Sequence, residues 1–258
     1  MSPEKISKRQ ERREELQRQQ QRQQRLTVTG LIGLGAALLV FAIVWPQIRS
    51  FSETPVAAVT PAVDEIATIV PVALPNAEGL SLGDPNAPVI IDVFEDFQCP
   101  ACKFFTESIE TLVIEDLVAT GKARYVFHNY PFLDGEGAGE GGESDQAANA
   151  SMCANEQGKF WEMHHAIYAN WNGEHQGAFS DTRLQAMAES IGLDMNTFNE
   201  CFSTNKYEAD IQADLDLGEE MGVSGTPTVF VNGDRVGQPG KIATYEEIVQ
   251  AVEQALNK

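Results

Sequence analysis

A short apolar segment, PVIIDVF at residues 88–94, leads within five residues into a pair of cysteines, Cys99 and Cys102. Its β-branched residues predict a buried strand. After the cysteines, apolar side chains recur at helical spacing until Gly121, a typical helix-ending residue. Residues 123–132, ARYVFHNYPF, then predict a second strand. The chain is therefore expected to place both cysteines at the start of a helix that connects two strands.

The rest of the body completes an α/β pattern. Residues 144–222 contain only helical patterns. Residues 226–236, TPTVFVNGDRV, predict two strands joined by a turn at Asn232-Gly233, and an amphipathic helix closes the chain. We predict one α/β domain over residues 76–258 with an all-helical insertion at residues 144–222.

The N-terminal part is organised differently. Residues 26–48 carry no charged side chain, and 23 residues suffice to cross a hydrocarbon core of about 30 Å as a helix. A cleaved signal peptide is the alternative, but its apolar region usually has only about 7–15 residues. Residues 1–25 contain eight Lys and Arg against four Glu, whereas only Arg49 closely follows the span. The positive-inside rule therefore places the N-terminus in the cytoplasm and everything after the span outside.

Proline-rich composition marks the segment between the span and the domain. Residues 49–75 contain four prolines, which preclude long helices and favour an extended tether. We predict a cytoplasmic basic head at residues 1–25, a transmembrane anchor at residues 26–48 and an extracytoplasmic linker at residues 49–75. The protein would be a single-pass cell-membrane protein with its α/β domain outside.

The net charge is −20, and the residues after position 25 hold 34 acidic against 10 basic side chains. Such a surface repels phosphate backbones, so we expect no nucleic-acid partner. Residues 137–142, GAGEGG, formally match a phosphate-binding GxGxxG motif. Glutamates at positions 136, 140 and 143 would repel a phosphate there, and we predict a loop instead.

The spacing of Cys99 and Cys102 suits half of a zinc site, a small structural loop or a redox pair. A structural zinc site needs four ligands, and the other two cysteines are isolated in the sequence. The adjacent His164 and His165 would point about 100° apart on a helix, so we predict no metal site. A two-residue disulfide loop would constrain the unfolded chain little. We expect the four histidines to be ordinary packing or surface residues: His128, His164, His165 and His175.

The redox interpretation has a clear physical basis. A cysteine at the N-cap of a helix faces unpaired backbone N–H groups and the positive end of the helix dipole, which favour the reactive thiolate. Pro100 at the first helical position loses no hydrogen bond and fixes the turn. We therefore predict that Cys99 is the attacking sulfur and that Cys102, held within reach but shielded, is the resolving one.

The two remaining cysteines, Cys153 and Cys201, both fall in the helical insertion. An oxidising compartment permits a stable disulfide between them, and we predict a structural bridge. The alternative is two free, buried thiols that behave as small apolar side chains.

Together these motifs resemble the membrane-anchored, DsbA-like thiol:disulfide oxidoreductases of the thioredoxin superfamily, over about residues 77–258. The likeness rests on LGDPNAPVIIDVFEDFQCPAC, on CANEQGKFWEMHHAIYAN and IGLDMNTFNECF in the insertion, and on GVSGTPTVFVNG. The resemblance implies a thioredoxin fold with an all-helical insertion. It also implies an active site supported by Pro100, Ala101 and Thr226, with a cis bond before Pro227 beside the cysteines.

One position departs from the family pattern. Relatives often carry a buried carboxylate six residues before the first cysteine, where this chain has Val93. Asp92 is adjacent, but on a strand it points to the opposite face. Glu95 and Asp96 are nearer the cysteines, and the sequence alone does not choose between them.

The resemblance also implies a function. The protein would introduce disulfides into unfolded or reduced exported proteins through the Cys99–Cys102 pair, with no cofactor besides that disulfide. A quinone-linked membrane protein of the DsbB or vitamin K epoxide reductase type would reoxidise it. The alternatives are a disulfide reductase or isomerase with the same cysteines, and a non-enzymatic thiol-based metal carrier.

Overall fold

The computed structural model of the protein describes residues 66–69, 74–134 and 142–258. The predicted head at residues 1–25 and anchor at residues 26–48 lie outside these ranges, as does most of the predicted linker. Among the helices of the described ranges, none is both long and apolar enough to cross a membrane.

A five-stranded mixed sheet lies at the centre of the domain, in the order β1-β3-β2-β4-β5. β2 and β3 pair in parallel and are the two strands predicted on either side of the cysteines. β4 pairs antiparallel with β2 and forms the predicted hairpin with β5. The sequence did not reveal β1, since two residues are too few for a periodic pattern. The strands are β1 (Ser81–Leu82), β2 (Val89–Glu95), β3 (Ala123–Asn129), β4 (Thr228–Val231) and β5 (Asp234–Arg235).

Helix α1 connects β2 to β3 through residues 100–118. It begins as an α-helix at Pro100–Phe105, widens into a π-helical segment at Thr106–Glu110, returns to α-helix at Thr111–Val113 and ends in a second π-helical segment at Ile114–Val118. π-helical turns inside an α-helix are uncommon and often occur at functional sites.

The all-helical insertion predicted from the sequence is confirmed. Within the described residues, a short 3-10 helix at Phe132–Asp134 and then five α-helices follow β3 before the chain returns to the sheet, and α7 closes the domain. The N-terminus of α7 carries a capping box, in which Thr244 and Glu247 each bind the other's backbone N–H. The helices are α2 (Glu143–Asn155), α3 (Phe160–Ala169), α4 (Asp181–Ser190), α5 (Met195–Ser203), α6 (Glu208–Glu220) and α7 (Tyr245–Leu256).

A disulfide joins α2 to α5 within the insertion. The Cys153–Cys201 bridge has a Cα–Cα distance of 5.8 Å and closes a loop with a sequence separation of 48. Both cysteines are buried, with exposed fractions of 1% and 3%. The bridge therefore fixes two helices of the insertion from the inside.

The two faces of the sheet have different surroundings because side chains alternate along each strand. Phe94 and His128 stack on the face covered by α6, with ring centroids 4.5 Å apart. Glu95 and Asn129 are the next partners in register, so both point to the opposite face. This alternation decides which acidic residue of β2 lies on the side of the cysteines.

Candidate active site

Cys99 and Cys102 lie at the N-terminus of α1, as predicted. Cys99 is the N-cap with an extended backbone, and Pro100 occupies the first helical position. The backbone N–H groups of Cys102 and Lys103 both donate to the carbonyl oxygen of Cys99, at 3.1 Å each. Both cysteines are free thiols, with an exposed fraction of 7% for Cys99 and 0% for Cys102. Ala101 lies between them, half-buried.

The loop that precedes β4 reaches the first cysteine. The peptide bond between Thr226 and Pro227 is cis. When it is protonated, the thiol of Cys99 donates to the carbonyl oxygen of Thr226 across 3.3 Å. The structure therefore brings together the predicted site residues from two distant segments of the chain.

The two thiols have opposite electrostatic environments. A hydrogen bond from the Cys102 thiol lowers the pKa of Cys99 to about 6, helped by the side chain of Thr226 and by the backbone N–H groups of Cys102 and Ala101, although burial acts against it. Complete burial raises the pKa of Cys102 well above its usual value. At neutral pH Cys99 is thus a thiolate, the nucleophilic form, while Cys102 keeps its proton.

This difference predicts selective alkylation of the reduced protein by iodoacetamide. The rate of modification of Cys99 is expected to rise with pH through about 6 and then level off, because only the thiolate reacts. Cys102 should stay unmodified in the folded protein because it is fully buried. Peptide mapping by mass spectrometry across a pH series measures both sites, with the denatured protein as control. Equal modification of both cysteines, or a midpoint near 9.0, would contradict this assignment.

Glu95 is the acidic residue that lies beneath the cysteines. Its Oε2 accepts hydrogen bonds from the Tyr168 hydroxyl at 2.6 Å and the Thr106 hydroxyl at 3.4 Å. Burial raises its pKa well above the usual value, and the negative charges of Glu110 and Cys99 add to that effect. The charge of Glu95 in turn contributes to the raised pKa of Cys102. Glu95 therefore occupies the place of a proton partner for the resolving thiol, four residues before Cys99.

The other two candidate acids have structural partners. Asp92 lies on the opposite face, as expected, where His128 is held between Asp92 at 3.0 Å and Asp214 at 3.1 Å. These two carboxylates raise the pKa of His128 to about 9 despite its burial. Asp96 accepts hydrogen bonds from the Ser144 hydroxyl and from the backbone N–H groups of residues 98 and 133. It therefore joins the loop before Cys99 to the helical insertion.

Gln98, the residue directly before Cys99, is a site residue that sequence reasoning missed. Its side-chain amide donates to Asp134 at 2.7 Å and Ser144 at 2.9 Å, and its side-chain carbonyl accepts the backbone N–H of His175. Its backbone carbonyl accepts the indole N–H of Trp171 at 2.7 Å. Gln98 thereby holds the loop before Cys99 against three separate segments of the chain. No local sequence pattern could have indicated these contacts.

The adjacent histidines differ from the expectation that their rings would diverge. One ligand atom each of Glu110, His164 and His165 lie within 4.8 Å of one another, because the two rings tilt toward each other with centroids 5.3 Å apart. Glu110 already accepts the hydroxyl of Tyr125 at 3.0 Å, and three groups are one fewer than a structural zinc site needs. We assign no metal to them. His164 is fully buried among aromatic rings, whereas His175 is at the surface.

Comparison with known proteins agrees with this geometry. The sequence model of the thioredoxin family matches residues 76–251. Disulfide bond formation protein D of Bacillus subtilis is 27% identical over 176 residues, covering 68% of this chain and 76% of that protein. The crystal structure of oxidised BdbD from Bacillus subtilis superposes with a TM-score of 0.62 at 26% identity, covering 72% of this chain and 97% of that one.

A second group of relatives has a different name. The Na(+)/H(+) antiporter NhaA 3 of Salinispora tropica is 34% identical over 169 residues, which are 66% of this chain but 24% of that protein. The chain therefore spans about a quarter of the length of such antiporters. The family match covers more than half of the chain, and both cysteines stand at the N-terminus of α1 beside a cis-proline loop. The chain belongs to the thioredoxin family, and its fold with a helical insertion is similar to that of BdbD.

Proposed function

We propose that the protein is an extracytoplasmic oxidase that introduces disulfides into unfolded or reduced exported proteins through Cys99 and Cys102. The observation that carries the proposal is the contrast between the two thiols. A Cys99 thiolate stabilised at a helix N-terminus favours the reduced form of the pair, and this makes the disulfide form a stronger oxidant. The name of the Bacillus subtilis relative, a disulfide bond formation protein, supports the same direction.

The reaction proceeds by two thiol–disulfide exchanges. A substrate thiolate attacks the Cys99 sulfur, the Cys99–Cys102 bond breaks, and its electron pair goes to the Cys102 sulfur, which takes up a proton. A second substrate thiolate then attacks the substrate sulfur of the mixed disulfide, and Cys99 leaves as a thiolate. The substrate loses two electrons and gains a disulfide, while the protein is left as a dithiol.

Several features support an oxidising compartment and a membrane location. The Cys153–Cys201 disulfide is of the kind that persists outside the cytoplasm. Residues 26–48 would anchor the protein with its N-terminus in the cytoplasm. A quinone-linked membrane protein of the DsbB or vitamin K epoxide reductase type would accept the two electrons and restore the disulfide. Because the chain matches only a quarter of the antiporters, ion transport is not part of the proposal.

The reduction potential of the Cys99–Cys102 pair, together with stoichiometric oxidation of a reduced two-cysteine peptide, tests this function. We expect a value nearer to the potential of DsbA, about −120 mV, than to that of thioredoxin, about −270 mV, and rapid oxidation of the peptide. A potential near that of thioredoxin, with reduction of disulfide substrates instead, would identify a reductase. Tight, stoichiometric binding of zinc or copper by the reduced pair, without peptide oxidation, would identify a metal carrier.

A further inference from the structure

A second buried carboxyl group, besides Glu95 on β2, lies on the helix that carries the cysteines. Glu110 follows Thr106 by four residues, so the two share one side of α1, and Thr106 is a hydrogen-bond donor to Glu95. Glu110 has an exposed fraction of 2%, and Glu95 of 1%. The chain thus buries two carboxyl groups in succession behind Cys102.

No buried cation compensates these two groups among the described residues that face them. Glu95 faces the hydroxyl of Tyr168 on α3, and Glu110 faces the hydroxyl of Tyr125 on β3; both hydroxyls donate. The nearest imidazole, His164, is 3.9 Å from Glu110, and burial lowers its pKa well below the usual value, so that it is neutral. His165 also lies close to Glu110, and burial lowers its pKa. Cys99, Cys102 and Asp96, which also act on these groups, are neutral or negative.

Two carboxyl groups that are buried near each other cannot both ionise easily, because burial disfavours each charge and the two charges repel. Burial raises the pKa of Glu110 to about 8, while the hydroxyl of Tyr125 stabilises its ionised form. The pKa of Glu95 is raised by burial and then further by the negative charge of Glu110. When Glu110 is ionised, its charge therefore helps to hold the proton on Glu95.

We propose that Glu110 is a positioning residue for the proton on Glu95, and that its charge sets the pH range in which reduction of the Cys99–Cys102 disulfide takes up two protons instead of one. The inference rests on the proposed function, since it concerns the same redox pair. It assigns a role to a group that does not touch either sulfur.

The proton balance of the redox step shows how this coupling works. Reduction adds two electrons; Cys102 takes one proton, and Cys99 remains a thiolate above pH 6. The new charge on Cys99 raises the pKa of Glu95. In the pH range between the oxidised-state and reduced-state pKa values of Glu95, reduction therefore adds a second proton, on Glu95. When Glu110 is ionised, that range lies at higher pH.

The test is the pH dependence of the reduction potential in the wild type and in Glu110→Gln. The slope of potential against pH gives the number of protons taken up per disulfide reduced. In Glu110→Gln the two-proton range is expected to move to lower pH, because Glu95 no longer experiences a neighbouring negative charge. Glu95→Gln should remove the two-proton range that lies above pH 6, leaving only the one at lower pH in which Cys99 itself is protonated.

Two further variants make the result specific. Glu115→Gln is the matched control, since it makes the same change at an exposed position of α1, and its curve should superpose on that of the wild type. Tyr125→Phe removes the donor that stabilises ionised Glu110, so it should shift the two-proton range in the same direction as Glu110→Gln. This variant provides the test if Glu110→Gln does not fold.

A Glu110→Gln or Tyr125→Phe curve identical to the wild type would overturn the inference. So would an equal shift in Glu115→Gln. If the wild-type pair showed no reversible potential at all, the proposed function would fail first.

Discussion

Cys102→Ser is expected to leave the protein covalently attached to its substrates. The variant keeps the Cys99 thiolate but lacks the thiol that normally attacks the mixed disulfide from within the protein. Once such a complex has formed with an oxidised substrate or a disulfide reagent, only an external thiol can resolve it. Disulfide-linked complexes should accumulate, and catalytic oxidation of a reduced peptide should fall to the background rate.

Non-reducing gel electrophoresis of the protein, followed by mass spectrometry, identifies the trapped complexes. Cys99→Ser is the matched control, because Cys102 is fully buried and cannot replace the attacking sulfur. We expect that variant to form no complexes and to oxidise no peptide. Full activity in Cys99→Ser, or complexes attached through Cys102, would show that the order of the two sulfurs assigned here is wrong.

Replacing both Cys153 and Cys201 with Ala is expected to destabilise the domain strongly without changing its redox chemistry. The bridge closes a loop with a sequence separation of 48, for which chain entropy gives about 4 kcal/mol in the free energy of unfolding. For a domain of this size, that corresponds to a melting temperature lower by about 8–16 °C. The potential of the Cys99–Cys102 pair should remain close to that of the wild type.

Calorimetry of the wild type and the double variant measures the first effect, and equilibration with a thiol buffer measures the second. Reductant provides an internal control, since it should lower the melting temperature of the wild type toward that of the double variant. Equal melting temperatures would show that the bridge does not stabilise the insertion. A large change in potential would show that the insertion is coupled to the redox pair, contrary to the separation of roles proposed here.

Local patterns predicted the parts of the fold that local physics determines. The apolar segment before the cysteines forms β2, and Cys99 caps α1 with Pro100 at its first position. The turn at Asn232-Gly233 has positive φ at both residues, as the tight hairpin requires. Each of these features depends on residues that are neighbours in the chain, and for that reason the sequence was sufficient to predict it.

The surroundings of the two sulfurs could be predicted only in part. Strand alternation correctly excluded Asp92, but choosing between Glu95 and Asp96 required the positions of Tyr168 and Ser144, which come from the helical insertion. Gln98 gave no signal, because its partners lie in segments more than thirty residues away. The π-helical widening of α1 was also invisible, since its residues have an ordinary helical pattern.

Because of the buried bridge between α2 and α5, the protein itself needs a disulfide to be formed before it is mature. Its sulfurs lie inside the packed insertion, so the bond has to close before or while those helices assemble. A newly synthesised copy would therefore mature only where an oxidant is already present. That oxidant could be an older copy of the same protein or the membrane partner proposed to reoxidise it. On the proposed function, the pool of active enzyme then propagates itself, and a cell that loses its oxidising supply would lose not only the activity but also the stability of each new copy.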